Sequence, residues 1–270
     1  MSYKIIKYLK PETVFLTEED SGEKLVIKVC ASSPMIAKFS EFVHQKGGLL
    51  AELVPEFSLK DDYLCQKFLN WAIAGDTVKT YGIRNEAFKI IDPEKLGTAF
   101  VELQKLSFSD PQLTVRGAGF YLENINEFKP SLIREYGEDF ANKVEVFLIS
   151  NSDIINQYST FLANGDVHPQ NLMYHNNKFM IIDWDLLHID SPTWDLSDIY
   201  VWGWRNSEWQ NRLVAAYKKV MPLSIIDFEK VFAFDVVYLS SQLIKHGLII
   251  KAPTEFLDAQ KKILTTFLGH

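Results

Sequence analysis

The chain is poor in several residue classes, and each shortage closes off a kind of protein. Only two of its 270 residues are cysteine, Cys30 and Cys65, which gives neither a disulfide framework nor a CxxC pair. Both sit in apolar stretches and are expected to be buried, small hydrophobic side chains of a protein kept in a reducing compartment. Glycine and proline number 13 and 10, which excludes collagen-like and low-complexity architectures. Positive charge is scarce: 28 Lys and Arg stand against 35 Asp and Glu, a net of −7. No basic stripe interleaved with aromatics occurs either, so a nucleic-acid partner is not expected. No apolar run reaches the ~18–20 residues of a membrane span, and the opening MSYKIIKYLKPE lacks the apolar core of a signal peptide. The expectation is a cytoplasmic, soluble chain with no membrane partner. The patterns GxxxxGK[ST], GxGxxG, HExxH and GxSxG are missing too.

What is present has an uneven distribution. The first ~72 residues read as a small sheet around one helix, with strands at Ile5–Leu9, Val14–Leu16 and Leu25–Val29. Turns are expected at Glu18–Gly22 and at Lys60–Asp62, the second joining strands Glu56–Leu59 and Tyr63–Leu69. Ser32-Ser33-Pro34 has the form of a helix start, a Ser N-cap before Pro, and Gly47-Gly48 that of a stop. From about residue 73 onward the apolar spacing is mostly helical, with Leu96, Ala99, Phe100, Leu103 and Leu106 as the first amphipathic run. Similar runs follow at about 131–150, 207–220, 225–246 and 254–268. Residues 160–200 break that pattern with short apolar pieces separated by Asn, Asp, His and Pro, the composition of loops that carry chemistry.

That stretch reads Asn164-Gly165-Asp166-Val167-His168-Pro169-Gln170-Asn171, then a strand, a turn at Asn176-Asn177, and a second strand ending Ile182-Asp183-Trp184-Asp185. A hairpin of this kind brings Asn171 close to Asp183. Such an oxygen pair suits Mg²⁺, a hard cation that takes one or two carboxylates together with phosphate oxygens and water. Asp166 is placed to receive the proton of a hydroxyl nucleophile. The residues 164–198 hold six Asp against one Lys, so much of the chain's negative charge belongs to this one stretch.

The arrangement resembles the aminoglycoside phosphotransferase/choline kinase family, a branch of the protein-kinase-like fold with a pattern close to H-G-D-x-H-x-x-N followed by I-D-[WF]-[ED]. Gly165, Asp166, His168, Asn171, Ile182, Asp183, Trp184 and Asp185 stand in the corresponding places. The later Asp190-Ser191-Pro192-Thr193-Trp194-Asp195-Leu196 looks like the family's D-P-x-x-D-L segment, whose last Asp braces the catalytic loop. The resemblance implies an α+β, two-lobed fold: a small antiparallel-sheet, nucleotide-binding lobe over 1–72 and a larger, mainly helical, catalytic and substrate-binding lobe over 73–270. It implies ATP and Mg²⁺ as cofactors and transfer of the γ-phosphoryl group to a hydroxyl of a small molecule. Asp166 would be the catalytic base, Asn171 and Asp183 the Mg²⁺ ligands, and Lys28 the strand lysine that neutralises phosphate charge. Glu41 would pair with Lys28, with Glu52 as the fallback, and Gln66 to Leu69, including Phe68, would form the hinge beside adenine.

Three departures from the family pattern accompany it. Asn164 replaces a leading His, a position that supports the loop. Gln104 replaces a His in the Leu-x-x-Leu-His helix. The loop Leu9–Thr13, where phosphates would be covered, contains no glycine, and Pro11 removes a backbone donor. This last departure keeps open a second reading, a kinase-like scaffold that binds without turning over ATP. Five of the six Trp lie between Trp184 and Trp209. Trp184 and Trp194 are expected to pack the catalytic loop into the core. At least one of Trp202, Trp204 and Trp209 is expected to line the acceptor pocket, where an aromatic wall would suit a cationic amine. His168 is expected to be scaffold, and His175 and His188 ordinary loop residues.

Overall fold

The computed structural model describes residues 4–10, 13–19, 21–61 and 63–269, without the side chain of Lys10. Pro11 and Glu12 of the expected phosphate-covering loop therefore lie outside the described residues, as do Asp20 and Asp62 of two expected turns.

The N-terminal sheet is built from β1 (Lys4–Lys10), β2 (Val14–Glu18) and β3 (Lys24–Lys28), and, after two helices, β4 (Phe57–Lys60) and β5 (Tyr63–Lys67). The strands are antiparallel in the order β1-β2-β3-β5-β4. Alternation along β3 sorts its side chains. Leu25 and Ile27 turn into a small cluster with Cys65 and Phe15, while Val26 and Lys28 share the opposite face. The register sets Lys28 opposite Val14 on one side and Leu64 on the other.

Helix α1 (Ser33–Lys46) and the short α2 (Leu49–Leu53) lie between β3 and β4. Gly47 and Gly48 take φ of 69° and 85° between them, left-handed values that glycine adopts without penalty. Ser32 does not cap α1 with its side chain; its hydroxyl lies 3.4 Å from the Asp185 carbonyl instead. Met35, Ile36, Phe39, Ser40 and Val43 form the buried face of α1.

The chain then enters the larger lobe. Here β6 (Ala72–Ile73), β7 (Gly75–Asp76) and β8 (Gly82–Ile83) precede α3 (Pro93–Gln104), α4 (Ala118–Glu123), α5 (Ile125–Tyr136), α6 (Glu138–Ser150) and α7 (Ser152–Tyr158). Strands β9 (Phe161–Ala163), β10 (Leu172–His175), β11 (Lys178–Ile181) and β12 (His188–Asp190) carry the loops of interest. Helices α8 (Trp194–Trp202), α9 (Ser207–Val220), α10 (Ile225–Ile249) and α11 (Thr254–Leu268) complete the lobe. The run expected over 131–150 is two helices, because Gly137 at φ 89° breaks it. Asn176 and Asn177, at φ 46° and 61°, make the tight left-handed turn that a two-residue hairpin of this twist requires, and β10 and β11 pair through it. β6 joins the same sheet beside β10. Among the described residues no helix is long and apolar enough to cross a membrane. A small antiparallel sheet with α1 packed against β4 and β5, and a mainly helical lobe beyond it, make up a two-lobed, protein-kinase-like α+β fold.

Candidate active site

A cleft of about 410 Å³ opens between the sheet and the helical lobe. Val14, Val26, Leu64 and Gln66 line it from the sheet, Met173 from β10 and Ile182 from just after β11, and Phe68 and Leu69 along the connection between the lobes. Lys28, Asp166, His168, Asn171, Asp183 and Asp185 line it as well. An apolar slot thus runs into a charged end.

The charged end is held by backbone geometry on both sides. Gly165 has φ 88°, and a Cβ there would stand 2.5 Å from His188 Cε1 and 2.7 Å from the Leu186 carbonyl, so only glycine fits the turn before Asp166. Asp195, at the start of α8, accepts from Asn164 N at 2.7 Å and Gly165 N at 2.9 Å. Burial is the main influence on Asp195 and pushes its carboxyl up to about 6 against those two hydrogen bonds. Asn164, fully buried, supports the loop as expected of its position: Oδ1 accepts from Asp166 N at 3.1 Å and Nδ2 reaches the Asp183 carbonyl at 3.4 Å. Asn171 Nδ2 donates to the Asp166 carbonyl at 2.9 Å and to Asp166 Oδ2 at 3.0 Å, which leaves its amide oxygen for a cation. His168 accepts from Gln170 N through Nδ1 at 3.2 Å and turns Nε2 toward Asp166 at 3.5 Å. Burial opposes a charge on this ring, yet the neighbouring Asp166 carries the balance and raises its pKa.

Opposite stands Asp183, in a left-handed conformation at φ 60°. Lys28 Nζ lies 2.6 Å from Asp183 Oδ1 and also pairs with Asp185 Oδ2. Burial disfavours the ammonium, but the two carboxylates outweigh it and raise the Lys28 pKa. Lys28 does not hold Asp185 down in return: burial, with Asp183 beside it, raises the Asp185 carboxyl above the ordinary range.

The pair expected between Lys28 and Glu41 is not formed, and the expectation is corrected. Glu41 is exposed and its Oε1 accepts from Gln45 on the same helix at 2.9 Å, because the face of α1 that turns inward carries Ile36, Phe39, Ser40 and Val43. Glu52, the fallback, reaches Lys95 at 3.6 Å on the surface. Asp185, two residues past Asp183, supplies the second carboxylate instead. Cys30 is half-buried, not buried as expected: it ends the strand connection with Sγ 3.0 Å from Ser33 Oγ and 3.8 Å from Asp185 Oδ1. Cys65 is buried.

Several other expectations meet specific partners. Trp184 is 1% exposed, donates to the Ile181 carbonyl at 2.8 Å and packs on Phe39, although it also touches the cleft. Trp194 is buried and its Nε1 lies 3.4 Å from the Gly165 carbonyl. Trp202 stacks on Phe256, Trp204 donates to the Tyr81 carbonyl and Trp209 to the Ile91 carbonyl. None of these last three lines the cleft itself. Gln104 donates to the Pro192 carbonyl at 2.5 Å, and its Oε1 accepts from Tyr217, a structural anchor of the segment before α8. His175 remains exposed, stacked beside Trp71, whereas His188, expected to be an ordinary loop residue, is 1% exposed and fully engaged.

Among the described residues no three His, Cys, Asp or Glu side chains gather to hold a metal ion. Two oxygen donors, the Asn171 amide and the Asp183 carboxylate, face the charged end, and such a pair fits Mg²⁺ completed by phosphate oxygens and water.

A sheet-borne lysine, a loop carboxylate with an asparagine five residues on, and an aspartate closing the next hairpin are thus set around one interlobe cleft of a protein-kinase-like fold. The model of the phosphotransferase enzyme family matches residues 160–230, from β9 to the start of α10. The fold is similar to that of an aminoglycoside phosphotransferase from Alicyclobacillus acidocaldarius, at a TM-score of 0.63 and 11% identity over 98% of this chain and 91% of that one. A choline/ethanolamine kinase family protein from Mesorhizobium loti follows at 0.62 and 16%, over 100% of this chain and 91% of that one. Spectinomycin phosphotransferase, solved with ADP and spectinomycin, matches at 0.58 and 13%, over 97% and 89%. No curated protein matches the chain. The likeness to the aminoglycoside phosphotransferase/choline kinase family, read from Gly165, Asp166, His168, Asn171 and Asp183, is thus met independently by the family model and by the fold.

Proposed function

We propose that the protein is a kinase that transfers the γ-phosphoryl group of ATP to a hydroxyl of a small, cationic acceptor. The observation that carries this reading is the meeting of Lys28, Asp183 and Asp185 with the Asp166–Asn171 pair at one end of an apolar slot. Asp166 takes the proton of the acceptor hydroxyl as its oxygen bonds to the γ-phosphorus and the bond from that phosphorus to the β-phosphate bridging oxygen breaks. Lys28 faces the phosphates with its positive charge, and Asn171 and Asp183 would hold Mg²⁺, which supplies charge neutralisation when bound. Positioning and electrostatics do most of the work in such a loose transition state.

A thermal-shift titration tests the nucleotide half. ATP with Mg²⁺ at about 100 times Kd stabilises the native state by about 2.7 kcal/mol, and a chain of this size should then melt about 5 °C or more higher. A panel of amino-sugar, choline-like and neutral alcohols, scored for phosphate transfer, tests the acceptor half. No shift and no transfer would leave the non-catalytic scaffold as the reading.

The cationic charge proposed for the acceptor rests on Asp198, a carboxylate near Asp166. This α8 carboxylate is 8% exposed and hydrogen-bonded by Trp202, and burial followed by the repulsion of Asp166 pushes it up to about 7. A protonated Asp198 offers a cation less than an ionised one, so KM for a cationic acceptor should fall as pH rises through about 7, while KM for a neutral alcohol stays level. Folding runs the other way. The folded state binds this proton more tightly than the unfolded one, so the group costs stability as pH rises toward 7. Asp198→Asn should therefore melt several degrees higher than the wild type at pH 8 and flatten the KM profile. An unchanged profile in that variant would remove Asp198 from acceptor binding.

A further inference from the structure

We propose that His188 is a positioning residue of the phosphoryl-transfer site, a buried wedge that sets Asp166 and the Asp183–Asp185 turn at a fixed spacing. The inference rests on the kinase reading above and deepens it. His188 starts β12 and pairs in register with Ala163, at the end of β9. Its ring lies directly against Gly165, the residue before Asp166: a Cβ there would fall 2.5 Å from Cε1 and 2.6 Å from Nδ1. The same ring reaches the other half of the site, with Nδ1 at 2.5 Å from the carbonyl of Leu186, which follows Asp185. One side chain thus touches both loops that carry the proposed chemistry.

The ring cannot turn away from this task. A carbonyl oxygen only accepts, so Nδ1 carries a proton. Nε2 faces Asp190 Oδ2 at 2.7 Å, and a second proton must sit between those two atoms. The His188–Asp190 pair therefore holds two protons and no net charge, which is what full burial of both residues demands. Asp190 is anchored in turn. Its Oδ1 accepts from the Tyr121 hydroxyl and from Ser191 N at 2.7 Å. The Ser191 hydroxyl donates to Asp235 on α10, which also accepts from Thr193 at 2.6 Å. The wedge is thereby fastened to α4 and α10, two helices that take no part in the cleft. On the other side of the loop, Asp195 holds Asn164 and Gly165 by their backbone donors, so Gly165 is gripped between a carboxylate and an imidazole.

A displacement of about 1 Å at a reacting group costs on the order of 100-fold in rate, and the loss falls on turnover, not on nucleotide affinity. His188→Phe keeps an aromatic ring at the position, somewhat larger than imidazole, and severs both tethers. It should lower kcat at least tenfold per nucleotide-binding molecule, while Kd for ATP with Mg²⁺ and KM for the acceptor stay within about twofold. His188→Asn and His188→Gln each keep one donor, the first toward Leu186 and the second toward Asp190, and should recover part of that loss. They also decide the matter if the Phe variant does not fold. A residue that only supports the fold would lower Tm and the folded fraction but leave kcat per binding-competent molecule within twofold of wild type; that result in the Phe variant, or in both amide variants, overturns the inference. Absence of phosphate transfer by the wild type is a different outcome: it removes the kinase reading, and the positioning role with it.

Discussion

Replacing Asp166 by alanine should lower phosphate transfer by about 1,000-fold, within the range a positioned general base supplies, and leave the fold and nucleotide binding close to wild type. The loop is built so that the two effects separate. Its shape is held by main-chain donors on Asp195 and by the Asn164 side chain, none of which uses the Asp166 carboxylate. Asn171 keeps its 2.9 Å bond to the Asp166 carbonyl when the carboxylate is gone. The side chain is 36% exposed, so its removal opens no cavity. Melting temperature, the shift produced by ATP with Mg²⁺, and single-turnover transfer measured together check the expectation. Activity above a few per cent in this variant would take the base role from Asp166.

Lys28→Met should act on the other quantity. Lys28 stands between Asp183 and Asp185, and the three side chains are 18%, 21% and 22% exposed. Without the ammonium, two carboxylates two residues apart face each other and the phosphates of an incoming nucleotide with no counter-charge. Nucleotide affinity should drop about 100-fold or more, equivalent to about 2.7 kcal/mol, and turnover with it. Stability acquires a new pH dependence whose sign is fixed. Asp185 is already raised above its ordinary range with Lys28 in place, and its pKa should climb further in the variant. The folded state then holds a proton that the unfolded state releases, so the variant should lose stability as pH rises from about 4 through the raised pKa, more steeply than wild type. Melting curves at pH 5 and pH 8 make the comparison. Equal pH slopes for the two proteins would show that the pair bears little load; because the site is partly solvated, the difference should be modest beside the loss of binding.

How much of this was legible beforehand follows from which information is local. The turn at Asn176–Asn177, the Asp166–Asn171 spacing and the strand position of Lys28 are set by neighbours in sequence, and the sequence alone places all three. The partner of Lys28 is not local, since Asp185 is 157 residues further along the chain (185 − 28). Periodicity shows that α1 is amphipathic but not which way it is rolled on the sheet, and Glu41 fell on the outer side of that roll. Helix α8 escaped for the opposite reason: it is buried almost all round, from Trp194 to Ile199 and again at Val201 and Trp202, so it has no polar face to give a period. His188 lacked any signal, because its meaning depends on the missing side chain of Gly165.

The left-handed backbone of Asp183 has a consequence for how this protein could change over generations. At φ 60°, asparagine is among the residues best suited to the conformation, and it has the size of aspartate. The exchange Asp183→Asn needs one nucleotide change. It suits the turn and the space, while it removes the charge that pairs with Lys28 and that the proposed cation would meet. The lineage thus lies one step from a form that keeps its architecture and would give up the chemistry proposed for it.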